Sequence, residues 1–154
     1  MESVLPKMSL HHETWLAVCD GNKALLLQNQ GDRAFPKLET REVFQQENPP
    51  AHLQGTDAPG RTFSSMGSRR SATEQTDFHV QAEQEFLRNF AQLLDSRVRA
   101  GDIRDLLLVA PAKSLGILRA ALSPATQKLV SGELARDYVK LPLYEIERHL
   151  AHIG

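Results

Sequence analysis

Ile103-Arg104-Asp105-Leu106-Leu107-Leu108-Val109-Ala110 is the stretch that decides the fold. Leu106 to Val109 is apolar without interruption, and a short run of this kind between helical stretches reads as a central strand buried on both faces. On its amino-terminal side, Phe78, Ala82, Phe86 and Phe90 recur at steps of four, flanked by Val80, Leu87, Leu93, Leu94 and Val98. That spacing predicts one broad apolar stripe on a helix of about 24 residues. Thr76 or Asp77 is the expected N-cap and Gly101 the expected stop. On the carboxyl-terminal side, Pro111 and Ser114 open a short helix through about Ala121, and Ser123-Pro124 starts another brief one. Leu129 to Leu141 is ambiguous between helix and strand. Leu143 to Ile153 is amphipathic and helical, with Leu143, Ile146 and Leu150 on one side.

The first third of the chain has a different grain. Trp15 to Cys19 and Ala24 to Leu27 are short apolar runs separated by Asp20-Gly21-Asn22. An Asp-Gly step between two such runs predicts a hairpin, because glycine tolerates the positive φ that tight turns demand. Asn29-Gln30-Gly31-Asp32 supplies the next turn, and Lys37 to Gln45 is a third strand of imperfect alternation. Residues 1–12 carry no periodicity and read as a loose leader. Residues 13–154 then form a single α/β domain with no internal repeat. An antiparallel three-strand meander leads into helix-strand-helix-strand-helix, and the helical crossovers imply parallel pairing with right-handed connections in the second half.

Composition sets bounds on function. A chain of 154 residues with a net charge of −1 offers no overall attraction to nucleic acid or membrane, so any basic surface must be local. The single cysteine, Cys19, excludes an intrachain disulfide and a cysteine-based zinc site, and its apolar neighbours predict a buried core residue. The amino terminus lacks the apolar core of a signal peptide, and no run approaches the ~18 apolar residues of a membrane span. The expected location is cytoplasmic.

Residues 46–76 hold Pro49, Pro50, Pro59, Gly55, Gly60 and Gly67 and no long apolar segment, which predicts a long loop. Within it, Arg61, Arg69 and Arg70 stand among Gly60, Gly67, Ser64 and Ser65, with no acidic residue between Gly60 and Arg70. Glycines permit close backbone approach, while arginines and hydroxyls bind phosphate oxygens. The functional reading is contact with RNA or another polyanion; the alternative is a surface loop whose arginines are merely solvated. At Pro111-Ala112-Lys113-Ser114 a helix start offers N–H groups to an anion, with Lys113 to assist, although ordinary capping by Ser114 accounts for the same residues.

Several of these segments carry a resemblance. Trp15 through Ala24, the segment Pro59 through Arg70, Leu107 through Arg119, and Glu133-Leu134-Ala135-Arg136-Asp137-Tyr138 with Glu145-Ile146-Glu147 together resemble the bacterial host-attachment protein family, in order, over about residues 14 to 150. That family is similar in fold to the central domain of archaeo-eukaryotic peptide-chain release factors and to some ribosomal proteins. The resemblance implies an RNase H-like or ribosomal-protein-like α/β arrangement and, by analogy, contact with RNA or the ribosome. Release factors carry a Gly-Gly-Gln tripeptide before the long helix. No Gly-Gly-Gln occurs in this chain.

Other chemistries find little support. A two-metal nuclease needs converging carboxylates. Asp20 and Glu83 or Glu85 are candidates, but the central strand ends in Val109-Ala110-Pro111, and Asp20 is accounted for by the hairpin turn. His149 and His152 lie three apart without a third ligand, while His11, His12, His52 and His79 read as surface residues. No metal or cofactor is expected. No Gly-x-Ser-x-Gly elbow is present, so no catalytic residue is assigned. The leading expectation is a non-enzymatic RNA- or ribosome-binding protein acting through Gly60, Arg61, Ser64, Ser65, Gly67, Arg69, Arg70 and Lys113. The alternatives are an ester hydrolase acting on peptidyl-tRNA, with Ser64, Ser65 or Gln54 replacing Gly-Gly-Gln, and a module that binds a protein partner and affects attachment indirectly.

Overall fold

Every residue of β1 (Trp15–Cys19) and β4 (Leu106–Ala110) is buried, and the two strands lie side by side in parallel, with Ala17 opposite Leu108. The structure, a computed structural model, describes residues 10–46 and 64–151, with residues 64–77 described as backbone. On its other side β1 pairs antiparallel with β2 (Lys23–Asn29), and β2 pairs antiparallel with β3 (Leu38–Gln45). β5 (Val130–Ala135) pairs in parallel with β4. The sheet order is β3-β2-β1-β4-β5, a mixed five-stranded sheet in which the meander and the parallel half meet at the β1–β4 pair. The α/β expectation holds, and within the ambiguous residues 129–141 the segment Val130–Ala135 is strand while residues 136–141 form a turn-containing connection.

The described residues also form four helices: α1 (Ser64–Arg99), α2 (Ala112–Ala121), α3 (Pro124–Leu129) and α4 (Leu143–Ala151). Because strand side chains alternate between faces, the apolar runs of β1 and β4 build two cores at once. Trp15, Ala17, Leu106 and Leu108 join Leu87, Phe90 and Leu94 of α1 and Leu115 and Leu118 of α2. Leu16, Val18, Leu107 and Val109 join Val139 and Ile146 and Leu150 of α4 on the opposite face. Each fully buried leucine contributes on the order of 1.5–3 kcal/mol of transfer free energy.

Both edge strands carry an irregularity that reverses their faces. Along β3, Thr40 opposes Leu27 and Glu42 opposes Leu26, so Arg41 is an extra residue. Leu38 therefore packs into the α4-side core, whereas Phe44, an even number of residues on, packs against the α1-side core. Along β5 the same happens at Ser131: Val130 opposes Leu106 and Gly132 opposes Leu107. A one-residue slip moves every later side chain to the other face, which explains the imperfect alternation of Lys37 to Gln45.

Other expectations need correction. The long helix starts at Ser64, not at Thr76 or Asp77, so residues 64–76 of the expected loop are helical. The sequence offers no apolar period over residues 64–76 from which a helix could be read. Phe78 is 60% exposed and stands outside the core; Phe86 packs against it partly buried, and Leu87 is the first buried residue among the described side chains of α1. Gly101 does stop the helix. At φ +87° it lets its own N–H donate to the Val98 carbonyl and the Asp102 N–H donate to the Arg97 carbonyl, a Schellman ending. The last part of the expected leader is packed: Leu10 is buried against the α4-side core, and the Asn29 Nδ2 donates to the carbonyls of Leu10 and His11.

Candidate functional site

The carboxyl ends of β1 and β4 form one edge of the sheet, where parallel strands present turns and helix starts to a ligand. β1 ends in the Asp20 turn. The Asn22 and Lys23 N–H groups donate to the Asp20 carboxylate at 2.8 and 2.9 Å, and the Asp20 N–H donates to the Lys23 carbonyl at 2.9 Å. The hairpin reading of Asp20 is correct, but the reason for Gly21 is different. Among the described residues the only positive-φ glycine is Gly101. Gly21 is required because Glu83 of α1 comes so close that an added Cβ would lie 2.7–2.8 Å from the Glu83 side chain. No sequence pattern announces that approach. Gln46 closes the turn from β3, donating through its backbone N–H to the Asn22 carbonyl and through Nε2 to the Gly21 carbonyl.

The approach also orients α1. Glu83 meets the turn after β1, while the Arg97 guanidinium lies 5.6 Å over the ring of Trp15 at the start of β1. The helix therefore runs antiparallel to β1. From Glu83 back to Ser64 it continues beyond the turn for roughly 28 Å, at ~1.5 Å per residue. Ser64, Ser65, Gly67, Arg69 and Arg70 lie on this leading stretch. Gly60 and Arg61, as well as Gln54, His52 and His152, lie outside the described residues.

β4 ends on the same edge. Pro111 is the N-cap of α2, no side chain caps the helix, and the Leu115 N–H donates to the Pro111 carbonyl at 2.8 Å. Capping by Ser114 is thus overturned: Ser114 sits inside the first turn, and proline has filled the cap position because its fixed φ suits the entry to a helix. The first N–H groups of α2 have no helical acceptor. Lys113 beside them is exposed and forms no salt bridge among the described residues. By contrast Arg119 is committed to Glu133, with Nε and Nη2 donating to the carboxylate at 2.8–3.2 Å. That hydrogen bonding, and the charge behind it, raises the Arg119 pKa above its ordinary value.

This edge brings Lys113 to the side from which the arginine-bearing stretch of α1 extends. It also brings Asp20 and Glu83 together, yet no group of three His, Cys, Asp or Glu residues suited to a metal ion exists among the described residues. His149, far from this edge in sequence, stacks on Tyr138 with ring centroids 4.7 Å apart. Cys19, next to Asp20, is fully buried. No described helix is long and apolar enough to cross a membrane.

No curated protein matches the sequence. Residues 13–150 match the family described as bacterial archaeo-eukaryotic release factor family 12. This supports the release-factor side of the sequence resemblance; its description says nothing of host attachment. The match runs from the turn before β1 to the last turn of α4, and so the chain belongs to bacterial archaeo-eukaryotic release factor family 12.

Proposed function

We propose that the protein is a translation-related factor that binds RNA on the ribosome, using the segment Gly60–Arg70 with Lys113 as its contact surface. The observation that carries this reading is the release-factor family match over residues 13–150 in a chain that contains no Gly-Gly-Gln. Without that tripeptide, the reading assigns the domain a binding role and no hydrolysis of peptidyl-tRNA. Support comes from the sheet edge, where Lys113 and the unpaired N–H groups of α2 stand on the side toward which the leading stretch of α1 runs. Positive side chains and free N–H groups are the donors that phosphate oxygens accept. A cytoplasmic location goes with this role, and any effect on host attachment follows indirectly from translation.

The test is co-sedimentation of the protein with ribosomes at low and moderate salt, alongside a variant carrying Arg61→Gln, Arg69→Gln and Arg70→Gln together. Removing one bound phosphate flattens the slope of log affinity against log salt by about 0.7–0.9, so the triple variant is expected to flatten it by about 2–3. Unchanged affinity in the variant removes the segment from the assignment. No binding of the wild type at either salt removes the ribosome and points to a protein partner.

A further inference from the structure

Phe35 is 79% exposed, more than any other large apolar side chain among the described residues. It stands in the turn between β2 and β3, and that turn is fixed from within. The buried Asn29, at the end of β2, accepts the Gly31 and Lys37 N–H groups through Oδ1. Asp32 Oδ1 accepts the Phe35 N–H at 2.8 Å, and the Asp32 N–H donates to the Phe35 carbonyl at 3.2 Å. The Gln30 N–H closes the base of the turn on the Lys37 carbonyl at 2.7 Å. Pro36 further restricts Phe35 to extended backbone conformations. An ordered backbone thus holds an aromatic ring out in water, where the fold makes no use of it. A ring presented in this way loses less entropy on binding than one on a loose loop.

The charges around the ring select the partner. Arg33 and Lys37, two residues to either side, are exposed and form no salt bridge among the described residues. The nearby carboxylates are engaged: Asp32 within the turn, Glu39 with Arg41 at 3.2 Å, and Glu13 with His12 at 3.8 Å. An exposed ring between two uncommitted cations suits single-stranded RNA, whose base stacks on the ring while neighbouring phosphates accept from the cations. An apolar pocket on a protein takes the ring but gives no use to a cation on each side. We propose that the β2–β3 turn is a second RNA contact, in which an unpaired base stacks on Phe35 and the adjoining phosphates meet Arg33 and Lys37. This contact rests on the RNA-binding reading of the protein, but not on the segment assigned to it there. The turn lies at the amino end of β1, whereas the leading stretch of α1 extends past the carboxyl end.

The test is fluorescence anisotropy of the full chain with a labelled short oligouridine and with an abasic oligoribonucleotide of the same length, which keeps the phosphates and lacks the bases. Phe35→Ala removes little packing and is expected to melt with the wild type. It is expected to weaken oligouridine binding roughly five- to hundredfold with the salt slope unchanged, because a stacked base is lost and no phosphate contact is. On the abasic strand it is expected to bind as the wild type does, and Phe35→Trp is expected to keep its hold on oligouridine. Arg33→Gln with Lys37→Gln is expected to weaken both strands and flatten the salt slope by about 1.4. A loss in Phe35→Ala, with Arg61→Gln, Arg69→Gln and Arg70→Gln together changing nothing, supports this contact and removes only the Gly60–Arg70 assignment. Equal affinities of wild type and Phe35→Ala for oligouridine overturn the proposal, as does an equal loss on the abasic strand. A loss seen on ribosomes but not on oligouridine overturns it in favour of a pocket on a ribosomal protein. Failure of the wild type to bind oligouridine overturns it alone where ribosomes still co-sediment, and the wider reading with it where they do not.

Discussion

Asn29 is fully buried, and its side chain holds three segments together. Nδ2 donates to the carbonyls of Leu10, His11 and Asp32, while Oδ1 accepts from the N–H groups of Gly31 and Lys37. Asn29→Ala strands several buried backbone groups and is expected to cost about 3 kcal/mol in a urea titration. Gly31 in the same turn has the Phe35 carbonyl oxygen pressed against the place where a Cβ would stand, so backbone has to move in Gly31→Ala. The sequence showed the turn, but not that Asn29 was its hub, because turn composition says nothing of which distant carbonyls arrive. Cys19 makes a residue-scale case for pH. Burial first, and the Asp20 charge second, push its thiol from 9.0 up to about 12. A raised acid favours the protonated native state, so this contribution is fully present below pH 9 and is lost between pH 9 and about 12, where the unfolded chain ionises first. Cys19→Ala is expected to be about 1 kcal/mol less stable at pH 7 and to lose less stability over that alkaline window. Parallel curves for the two proteins from pH 9 to 12 contradict the account.

At the scale of elements, two glycines separate conformation from space. Gly101 ends α1 at φ +87°, and Gly116 lies inside α2; neither would find an atom within 4 Å of an added Cβ. Gly101→Ala is therefore expected to destabilise by about 1 kcal/mol through backbone strain alone. Gly116→Ala is expected to stabilise by about 1 kcal/mol, since it replaces a poor helix former with the best one. Thermal melts of both variants decide the signs. α1 itself divides at Leu87. Leu87, Phe90, Ala91 and Leu94 face the core with Phe86 packed at its margin, while Phe78 is exposed. Amide exchange is expected to be slow over Leu87–Val98 and faster over residues 78–82, which include no buried side chain. Uniform protection along all of α1 contradicts that division. The apolar period found the buried half of this helix and missed the rest, since the stretch before Phe78 has no period to find.

For the whole molecule, one sheet serves two cores. β1 and β4 contribute alternate residues to the α1 and α2 side and to the α4 side, so neither core survives loss of the strands they share. Unfolding is expected as a single transition, with Trp15 fluorescence and far-ultraviolet circular dichroism coinciding. Separated midpoints overturn that coupling. The leading stretch of α1, which carries Arg69 and Arg70, extends past the carboxyl end of β1.

The sequence by itself determined β1, β4, the Asp20 hairpin, the Gly101 stop, the Ser123 N-cap with Pro124 after it, and the apolar side of α4, because each depends on a local period or on residues within a turn. It also settled the absence of Gly-Gly-Gln. Tertiary structure alone decided the faces of β3 and β5 after Arg41 and Ser131, the reason for Gly21, and the packing of Leu10 and Asn29 around the turn before β1. These depend on which strand opposes a bulge, which helix crosses a turn, and which segments share an edge. Such relations join residues tens of positions apart, and no local pattern in the chain encodes them.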